Sequence, residues 1–361
     1  MKSEDEIFAE DMKRICESDF IPWENLKGST ILVTGATGLI GYTLVNALLY
    51  ADQVRNLGLS VVVLVRDEQR AKQRFDDSAI KLSQLQFVEG TVEELPGIDC
   101  PVQYIIHGAS QTSSKAFIQQ PVETIYTALH GTENILRLAR EKEIKGMVYL
   151  SSMEVYGHPQ KGHKVKENEI GMISPLNIRN SYPISKLQCE SLCNSYASEY
   201  GVPVMTVRLT QTFGPGVNYN DERVFAEFGR CVRGKRDIVL KTKGETERSY
   251  LYTADAATAI LTVLLKGTPG QAYNASDEST YCSIAEMADK VAKMGGIHVQ
   301  FDLKDNRESG FPDTLYMDLD ADTLKELGWS TSLGGGTLVN LEEMYRRMII
   351  AWNTKGIEYR R

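Results

Sequence analysis

Residues 29–41, STILVTGATGLIG, join a short β-rich apolar run to three glycines, Gly35, Gly38 and Gly41. Residues 42–58 then carry the helical spacing of apolar side chains. The spacing GxxGxxG between a strand and a helix is typical of a loop that binds the pyrophosphate of a dinucleotide. The glycines permit a tight turn, a close approach of backbone N–H groups and close packing of the helix on the strand.

The N-terminus of the following helix adds a partial positive charge that favours a phosphate. A purely structural turn is the competing interpretation, whereas a Walker loop is excluded because no Gly-Lys-Ser/Thr follows. The cofactor-binding residues predicted for this loop are Gly35, Thr37, Gly38, Leu39, Ile40 and Gly41.

Strand-like and helical patterns alternate up to residue 210. The β-rich runs are SVVVLVR (60–66), LQFVEG (85–90), VQYIIHGAS (102–110), GMVYLSS (146–152) and VPVMTVRLT (202–210). Helical patterns lie between them, notably over 121–144. This alternation predicts parallel strands joined by right-handed helical crossovers. We therefore expect an α/β fold, with a doubly wound parallel sheet of the Rossmann type and a smaller C-terminal substrate lobe.

The pattern changes after residue 210, which divides the chain. We predict an N-terminal extension (1–28), a dinucleotide-binding domain (29–210, with 251–266 returning to it) and a substrate-binding lobe (211–250 and 267–361). Within the second lobe, the segment DIVLKTKGETERSYLY (237–252) predicts a hairpin.

Charge and composition argue against nucleic-acid-binding, membrane-spanning and secreted classes of protein. The formal net charge of -8 argues against broad nucleic-acid binding, which needs a clustered basic surface. Apolar stretches stay shorter than the roughly 18–20 residues that span a bilayer, and the charged N-terminal residues 1–20 do not predict a secretory signal. The six cysteines are scattered, which predicts buried thiols rather than a metal site. We expect a cytoplasmic protein without a membrane partner.

The end of the second predicted strand bears on cofactor choice. Arg66 occupies its tip, with Arg70 and Lys72 nearby. A guanidinium suits a 2′-phosphate, so the sequence favours NADP over NAD. Asp67 is the alternative, because an acidic residue there would bind the ribose of NAD.

Tyr182 and Lys186 form a candidate catalytic pair. They lie four residues apart in SYPISK, so a helix places both side chains on one face. A nearby ammonium favours the phenolate form of tyrosine, which would then remove a hydroxyl proton while hydride leaves the same carbon. Ser152 ends a predicted strand, where ligands bind in open α/β sheets, and would hydrogen-bond the substrate hydroxyl.

The motifs together resemble the extended short-chain dehydrogenase/reductases, also called the NAD-dependent epimerase/dehydratase family. The matching segments are TGATGLIG (34–41), HGAS (107–110), GTENIL (131–136), SSMEVYG (151–157), YPISK (182–186), FGPG (213–216) and LGW (327–329). The resemblance implies a Rossmann lobe, a substrate lobe, a nicotinamide cofactor and a sugar-nucleotide substrate. It also implies a homodimer formed through the helices of residues 121–141 and 182–200.

The resemblance also assigns roles to particular residues. Ser152 matches the catalytic Ser/Thr, Tyr182 the base and Lys186 its helper. Tyr182 and Lys186 would also contact the cofactor, with Lys186 holding the nicotinamide ribose, and Ser152 and Glu154 would contact the substrate. His107, Ala109 and Ser110 would border the cofactor. Arg248 resembles the arginine that binds the substrate diphosphate, with Arg307 assisting.

The substrate and the reaction type are less constrained. Met153 replaces the acidic residue that follows the catalytic Thr in many dehydratases, whereas Glu154 is kept as a candidate acid or base. Ala128, Gln211 and Phe213 also depart from the usual pattern. We expect a nucleotide-sugar epimerase or dehydratase-like enzyme that oxidises C4 transiently. The alternatives are an NADP-dependent reductase of a sugar nucleotide or small carbonyl compound, and a non-catalytic dinucleotide-sensing protein.

Overall fold

The computed structural model describes residues 4–76, 83–303, 314–331 and 339–354. Its strands are β1 (Thr30–Thr34), β2 (Ser60–Val65), β3 (Leu85–Glu89), β4 (Tyr104–His107), β5 (Gly146–Ser152), β6 (Lys164–Val165), β7 (Val204–Leu209), β8 (Gln211–Phe213), β9 (Ile238–Leu240), β10 (Glu247–Tyr252), β11 (Ala272–Ala275), β12 (Asp277–Ser283), β13 (Val299–Phe301) and β14 (Tyr316–Leu319).

The helices are α1 (Glu4–Glu17), α2 (Leu39–Arg55), α3 (Glu68–Asp76), α4 (Ser114–Gln119), α5 (Pro121–Glu141), α6 (Ser181–Tyr200), α7 (Val224–Arg233), α8 (Thr253–Lys266), α9 (Ile284–Gly295), α10 (Asp322–Lys325) and α11 (Leu341–Thr354). Short 3-10 turns cover Trp23–Leu26, Met153–Tyr156 and Ile178–Asn180.

The large sheet has seven parallel strands in the order β11-β7-β5-β4-β1-β2-β3. Side chains alternate between its two faces, because successive residues of a strand point to opposite sides. Ile31 and Val33 of β1 enter the core that contains α2 and α8, whereas Leu32 enters the core that contains α5 and α6. Helices therefore cover both faces, and the prediction of a doubly wound parallel sheet is confirmed.

The edge strand β11 differs from the predicted domain boundary. Ala272–Ala275 pairs in parallel with β7, so the chain continues in the large sheet beyond residue 266. This pairing satisfies backbone groups that the edge of β7 would otherwise expose. A four-residue strand carries too little periodicity to be distinguished from a loop, which is why the sequence placed it in the second lobe.

A smaller sheet, with parallel and antiparallel strands, forms near the C-terminal ends of the strands of the large sheet. Its order is β12-β10-β14-β6, and β8 also pairs with β10. The predicted hairpin over 237–252 is wrong, because β9 pairs with β13 while β10 pairs with β12 and β14. The segment between β9 and β10 instead lines a cavity that the glycine loop also lines, through Lys241, Thr242 and Gly244.

The N-terminal helix α1 is joined to the body by a buried ionic cluster. Ile7, Met12 and Ile15 bury its apolar face. Asp11 accepts hydrogen bonds from Tyr252 Oη and, at 2.9 Å, from an Arg347 guanidinium nitrogen. The helix thus contacts both the end of β10 and α11, rather than extending freely from the domain.

Candidate active site

The glycine loop is packed so closely that two positions accept only glycine. Gly35 has φ +72°, and a Cβ there would lie 2.7 Å from the Gly108 carbonyl carbon. A Cβ on Gly41 would lie 2.2 Å from the Gly35 carbonyl oxygen. Gly38 caps the N-terminus of α2 in an ordinary extended conformation. The loop therefore forms a narrow cradle at a helix N-terminus, which fits a dinucleotide pyrophosphate.

One cavity of about 1070 Å³ connects this loop to the predicted catalytic residues. It lies at the C-terminal ends of the parallel strands, where open α/β sheets bind ligands. Predicted site residues that line it are Gly35, Thr37, Gly38, Leu39, Ile40, Gly41, Arg66, Ala109, Ser110, Ser152, Glu154, Tyr182, Lys186 and Arg248. Its volume slightly exceeds the usual range for ligand pockets, about 300–1,000 Å³.

The side chain of His107 lies behind the cavity wall rather than in it. Its Nδ1 is 2.7 Å from Thr34 Oγ1, and its Nε2 is 3.2 Å from Thr132 Oγ1. Burial, together with the charge of Lys186, lowers the pKa of His107 to about 3. The imidazole is therefore neutral and links β1, β4 and α5, so any contact with a cofactor comes from its neighbours Ala109 and Ser110.

Tyr182 and Lys186 project from the first turns of α6, as the spacing predicted. The Lys186 ammonium donates a 2.7 Å hydrogen bond to the Leu150 carbonyl oxygen, and it lies 5.8 Å from the centroid of the Tyr182 ring. Burial lowers the pKa of Lys186 to about 8. Burial also raises the pKa of Tyr182 well above its usual range, and Glu154 adds to this effect. The groups that lower the pKa of Tyr182 against burial are Ser152, Arg179 and Arg223, rather than the predicted Lys186.

Ser152 and Glu154 sit where β5 ends. The Ser152 hydroxyl accepts a 3.2 Å hydrogen bond from the Glu154 backbone N–H, which starts the 3-10 turn Met153–Tyr156. Hydrogen bonding with Ser152 lowers the pKa of Tyr182, against the effect of burial. Ser152 thus lies beside the phenol, while Met153 is buried in an apolar cluster with Val155.

Two further residues of this site, Arg179 and Phe117, escaped the sequence analysis. The Arg179 guanidinium contacts both carboxylate oxygens of Glu154, at 3.0 and 3.1 Å. The ring of Phe117 stacks on Tyr182, with centroids 4.3 Å apart and planes at 9°. Both residues lie outside any recognised motif. The available signal was only that an arginine precedes Tyr182 by three residues.

Arg248 lines the same cavity from the smaller sheet. Arg248 on β10 donates to Gln211 Oε1 at 3.2 Å, whereas its buried Nε has no hydrogen-bond partner in the described part of the chain. Such an unpaired buried donor is costly unless a ligand satisfies it. Arg307 lies outside the described residues.

At the end of β2, the two candidates for selecting the cofactor, Arg66 and Asp67, have different surroundings. Arg66 is exposed and lines the cavity, but Asp67 is not among the lining residues. The Asp67 carboxylate accepts a 2.8 Å hydrogen bond from the Arg70 backbone N–H at the start of α3. Asp67 therefore already serves the N-terminus of that helix.

Over the described ranges, no cluster of three or more His, Cys, Asp or Glu side chains has the geometry to hold a metal ion. No helix in the described part of the chain is long and apolar enough to cross a membrane.

Curated relatives of the chain are sugar-nucleotide enzymes. A trifunctional UDP-glucose 4,6-dehydratase/UDP-4-keto-6-deoxy-D-glucose 3,5-epimerase/UDP-4-keto-L-rhamnose-reductase of Arabidopsis thaliana is 27% identical over 311 residues, which cover 84% of this chain and 45% of the relative. UDP-glucuronic acid decarboxylase 6 of the same plant is 27% identical over 278 residues, covering 76% of this chain and 77% of the relative. The chain spans about half the length of the trifunctional relatives it matches.

Solved structures share the fold. UDP-glucose 4-epimerase of Thermotoga maritima superposes with a TM-score of 0.71 at 23% identity, covering 90% of this chain and 98% of that one. dTDP-glucose 4,6-dehydratase of Bacillus anthracis, in complex with NAD, gives a TM-score of 0.70 at 18% identity, covering 91% and 97%. The sequence model of the NAD dependent epimerase/dehydratase family matches residues 31–276. As its motifs predicted, the chain belongs to the NAD-dependent epimerase/dehydratase family.

Proposed function

We propose that this chain is a nucleotide-sugar epimerase or dehydratase-like enzyme, which oxidises the sugar C4 transiently with a bound nicotinamide cofactor. The observation that carries the proposal is the single cavity lined by the glycine loop and by Ser152, Tyr182 and Lys186. A base beside a dinucleotide cradle is the arrangement that hydride transfer from a carbinol requires. The relatives described above act on nucleotide sugars, which supports this substrate class.

In this mechanism, Tyr182 removes the proton of the C4 hydroxyl and later returns it. Ser152, beside the phenol, orients the same hydroxyl by hydrogen bonding. When bound, the oxidised dinucleotide supplies a hydride acceptor and a positive ring charge. Lys186 lies on the same helix face as Tyr182 and adds a second positive charge near the phenol. These charges counter the burial that otherwise keeps Tyr182 protonated.

The part of the cavity that Arg248 lines is the proposed binding site for the substrate diphosphate. Arg248 offers a buried, unpartnered Nε there, and a guanidinium is well matched to phosphate oxygens. We assign the second lobe, including β10 and the segment between β9 and β10, to substrate binding. Arg307 is a further candidate from the resemblance alone.

For the cofactor, we propose NADP rather than NAD. Arg66 lines the cavity at the end of β2, while the Asp67 carboxylate is engaged by the backbone of α3. A guanidinium at this position suits a 2′-phosphate. The test is the ratio of NADP to NAD affinity before and after Arg66→Ala, and an unchanged ratio would refute the assignment.

The Arg66 side chain also favours the second candidate function, a net NADP-dependent reductase. One assay separates the two. The purified enzyme is incubated with UDP-, GDP-, CDP- and dTDP-sugars while the absorbance of the reduced nicotinamide and the sugar product are followed. A redox-neutral enzyme forms product without net cofactor change, whereas a reductase consumes reduced cofactor in proportion to product. Turnover in neither mode would favour a dinucleotide-sensing protein.

We further propose a homodimer formed through α5 and α6. Val122 and Tyr126, four residues apart on one face of α5, are 57% and 52% exposed. Large apolar side chains grouped on one helix face are typical of a surface that a partner covers. Besides the sugar nucleotide, the proposed partner is thus a second copy of the chain. We also propose a cytoplasmic location.

A further inference from the structure

We propose that Arg179 is a positioning residue of the reaction, holding Glu154 directly and the ring of Tyr182 through Phe117. The inference rests on the proposed function, because it concerns the same cavity. Arg179 contacts both carboxylate oxygens of Glu154, at 3.0 and 3.1 Å. A guanidinium that meets both oxygens fixes the direction of a carboxylate as well as its distance, which a single contact does not.

The same guanidinium also packs on an aromatic pair. Its carbon lies 5.0 Å from the centroid of the Phe117 ring, within the range of a cation–π contact. Phe117 stacks on Tyr182 with planes at 9°. One arginine side chain therefore supports two groups of the site: the carboxylate after β5 and, through one ring, the phenol on α6.

The backbone that carries Arg179 is itself anchored. The Asn177 side chain accepts a 3.0 Å hydrogen bond from the Arg179 backbone N–H, which begins the 3-10 turn before α6. Ser181 Oγ donates a 3.0 Å hydrogen bond to the Phe117 carbonyl oxygen, which joins α6 to α4. Residues 177–181 thus hold the arginine and the phenylalanine at a fixed separation.

The charges of Glu154 and Arg179 affect how readily Tyr182 loses its proton. Glu154 acts to raise the pKa of Tyr182, whereas Arg179 acts to lower it, together with the Ser152 hydroxyl and the charge of Arg223. The Lys186 ammonium also lies 5.8 Å from the centroid of the ring. Without the guanidinium, the carboxylate would hold the phenol more firmly in its protonated form. With Arg179 present, the Glu154 carboxylate lies beside Tyr182 and raises the pKa of the phenol less than it would alone.

The experiment uses the holoenzyme and a nucleotide sugar that the wild type converts. Arg179→Gln is compared with Arg179→Lys, Glu154→Gln and the Gln/Gln double variant. Arg346→Gln is the matched control, since Arg346 pairs with Glu343 on α11, away from the residues that line the cavity. Thermal unfolding of each variant shows whether it is folded, and kcat, KM and the pH profile of kcat/KM are measured for each.

Arg179→Gln is expected to lower kcat by about 10²-fold, the cost of a displacement of about 1 Å in a catalytic group, with a smaller change in KM. The rising limb of its pH profile moves to higher pH, because the base is harder to deprotonate. Glu154→Gln adds little further loss of kcat in the Arg179→Gln background, since the two residues act together. It moves the limb back toward lower pH, because the carboxylate that raises the pKa of Tyr182 is gone. Arg179→Lys restores the position of the limb but only part of the rate, because an ammonium is a point charge without the planar fork.

Additive effects with an unmoved pH profile would overturn the inference, because a merely structural arginine gives that result. A crystal structure of Arg179→Gln provides a test that does not depend on turnover. The inference expects Glu154 to leave its position and the Phe117–Tyr182 stack to loosen. If both keep their wild-type positions, the inference fails even where a nucleotide sugar is converted. If the wild type converts none, the proposed function fails, and the crystal structure still decides about Arg179.

Discussion

Replacing Gly41 by alanine tests the packing of the glycine loop. The new Cβ would lie 2.2 Å from the Gly35 carbonyl oxygen and 2.8 Å from the Ala36 Cα, both of them backbone atoms. Ordinary contacts of a Cβ begin at 3.4 Å, so α2 and the loop must separate by about 1.2 Å. Forcing a methyl group into a filled site costs typically about 1–3 kcal/mol. We expect Gly41→Ala to lower the free energy of unfolding by about that amount and to weaken dinucleotide binding.

Gly38→Ala is the matched control in the same loop. Its Cβ would lie 3.2 Å from the same oxygen, and Gly38 is exposed with φ -72°. Its stability should change by about 0.5 kcal/mol or less, as for most surface substitutions. A methyl group at the start of α2 should still weaken binding of NAD and NADP. Urea unfolding followed by circular dichroism, with titration calorimetry for the cofactors, measures both effects. Equal losses of stability in the two variants would refute the reasoning.

Three further predictions concern the ionic cluster, the substrate site and the dimer. Asp255 on α8 lies 3.6 Å from the Arg14 guanidinium of α1, beside the ionic cluster. Burial raises the pKa of Asp255 to about 8, so the folded chain keeps a proton that the unfolded chain releases above a pH of about 4. The stability that this proton provides is greatest at low pH and is lost as the pH rises from about 4 to about 8. The midpoint of urea unfolding should therefore fall over this pH range in the wild type, and Asp255→Asn should make that fall smaller. Arg248→Ala should raise KM for the nucleotide sugar by about 10–100-fold at nearly constant kcat, as expected for the loss of a charged hydrogen bond of about 1.5–3 kcal/mol; a fall confined to kcat would count against this role. Tyr126→Glu on α5 should shift the mass measured by light scattering from dimer to monomer, and an unchanged mass would disprove the interface.

Much of the fold was predictable because local sequence patterns agree with the tertiary structure. The residues of β1, β2, β5 and β7 are mostly apolar, and parallel strands covered on both faces bury all of them except Thr30, Ser60 and Ser152. The glycine spacing likewise encodes a local requirement, since Gly35 needs a positive φ and Gly41 a close contact. The i, i+4 spacing of Tyr182 and Lys186 placed both on one face of α6.

What the sequence missed depends on contacts between distant residues. Arg179 and Glu154 are 25 residues apart, and Phe117 is farther from Tyr182 still. No periodicity links such positions, so only the assembled fold brings them together. His107 fits a motif, but its side chain turns away from the cavity and hydrogen-bonds to Thr34 on β1 and Thr132 on α5. The partners of β9 and β10 also come from residues far along the chain, which a local turn signal does not reveal.

The most direct test of the account is a single-turnover measurement on Tyr182→Phe. The variant removes only the phenolic oxygen, so the stack on Phe117 and the dinucleotide cradle are retained. The holoenzyme is mixed rapidly with a nucleotide sugar that the wild type converts, and the absorbance of the reduced nicotinamide is followed. Loss of a general base should slow its appearance by about 10²–10⁴-fold while cofactor affinity stays unchanged. Reduction at the wild-type rate would contradict the assignment of Tyr182 as the base.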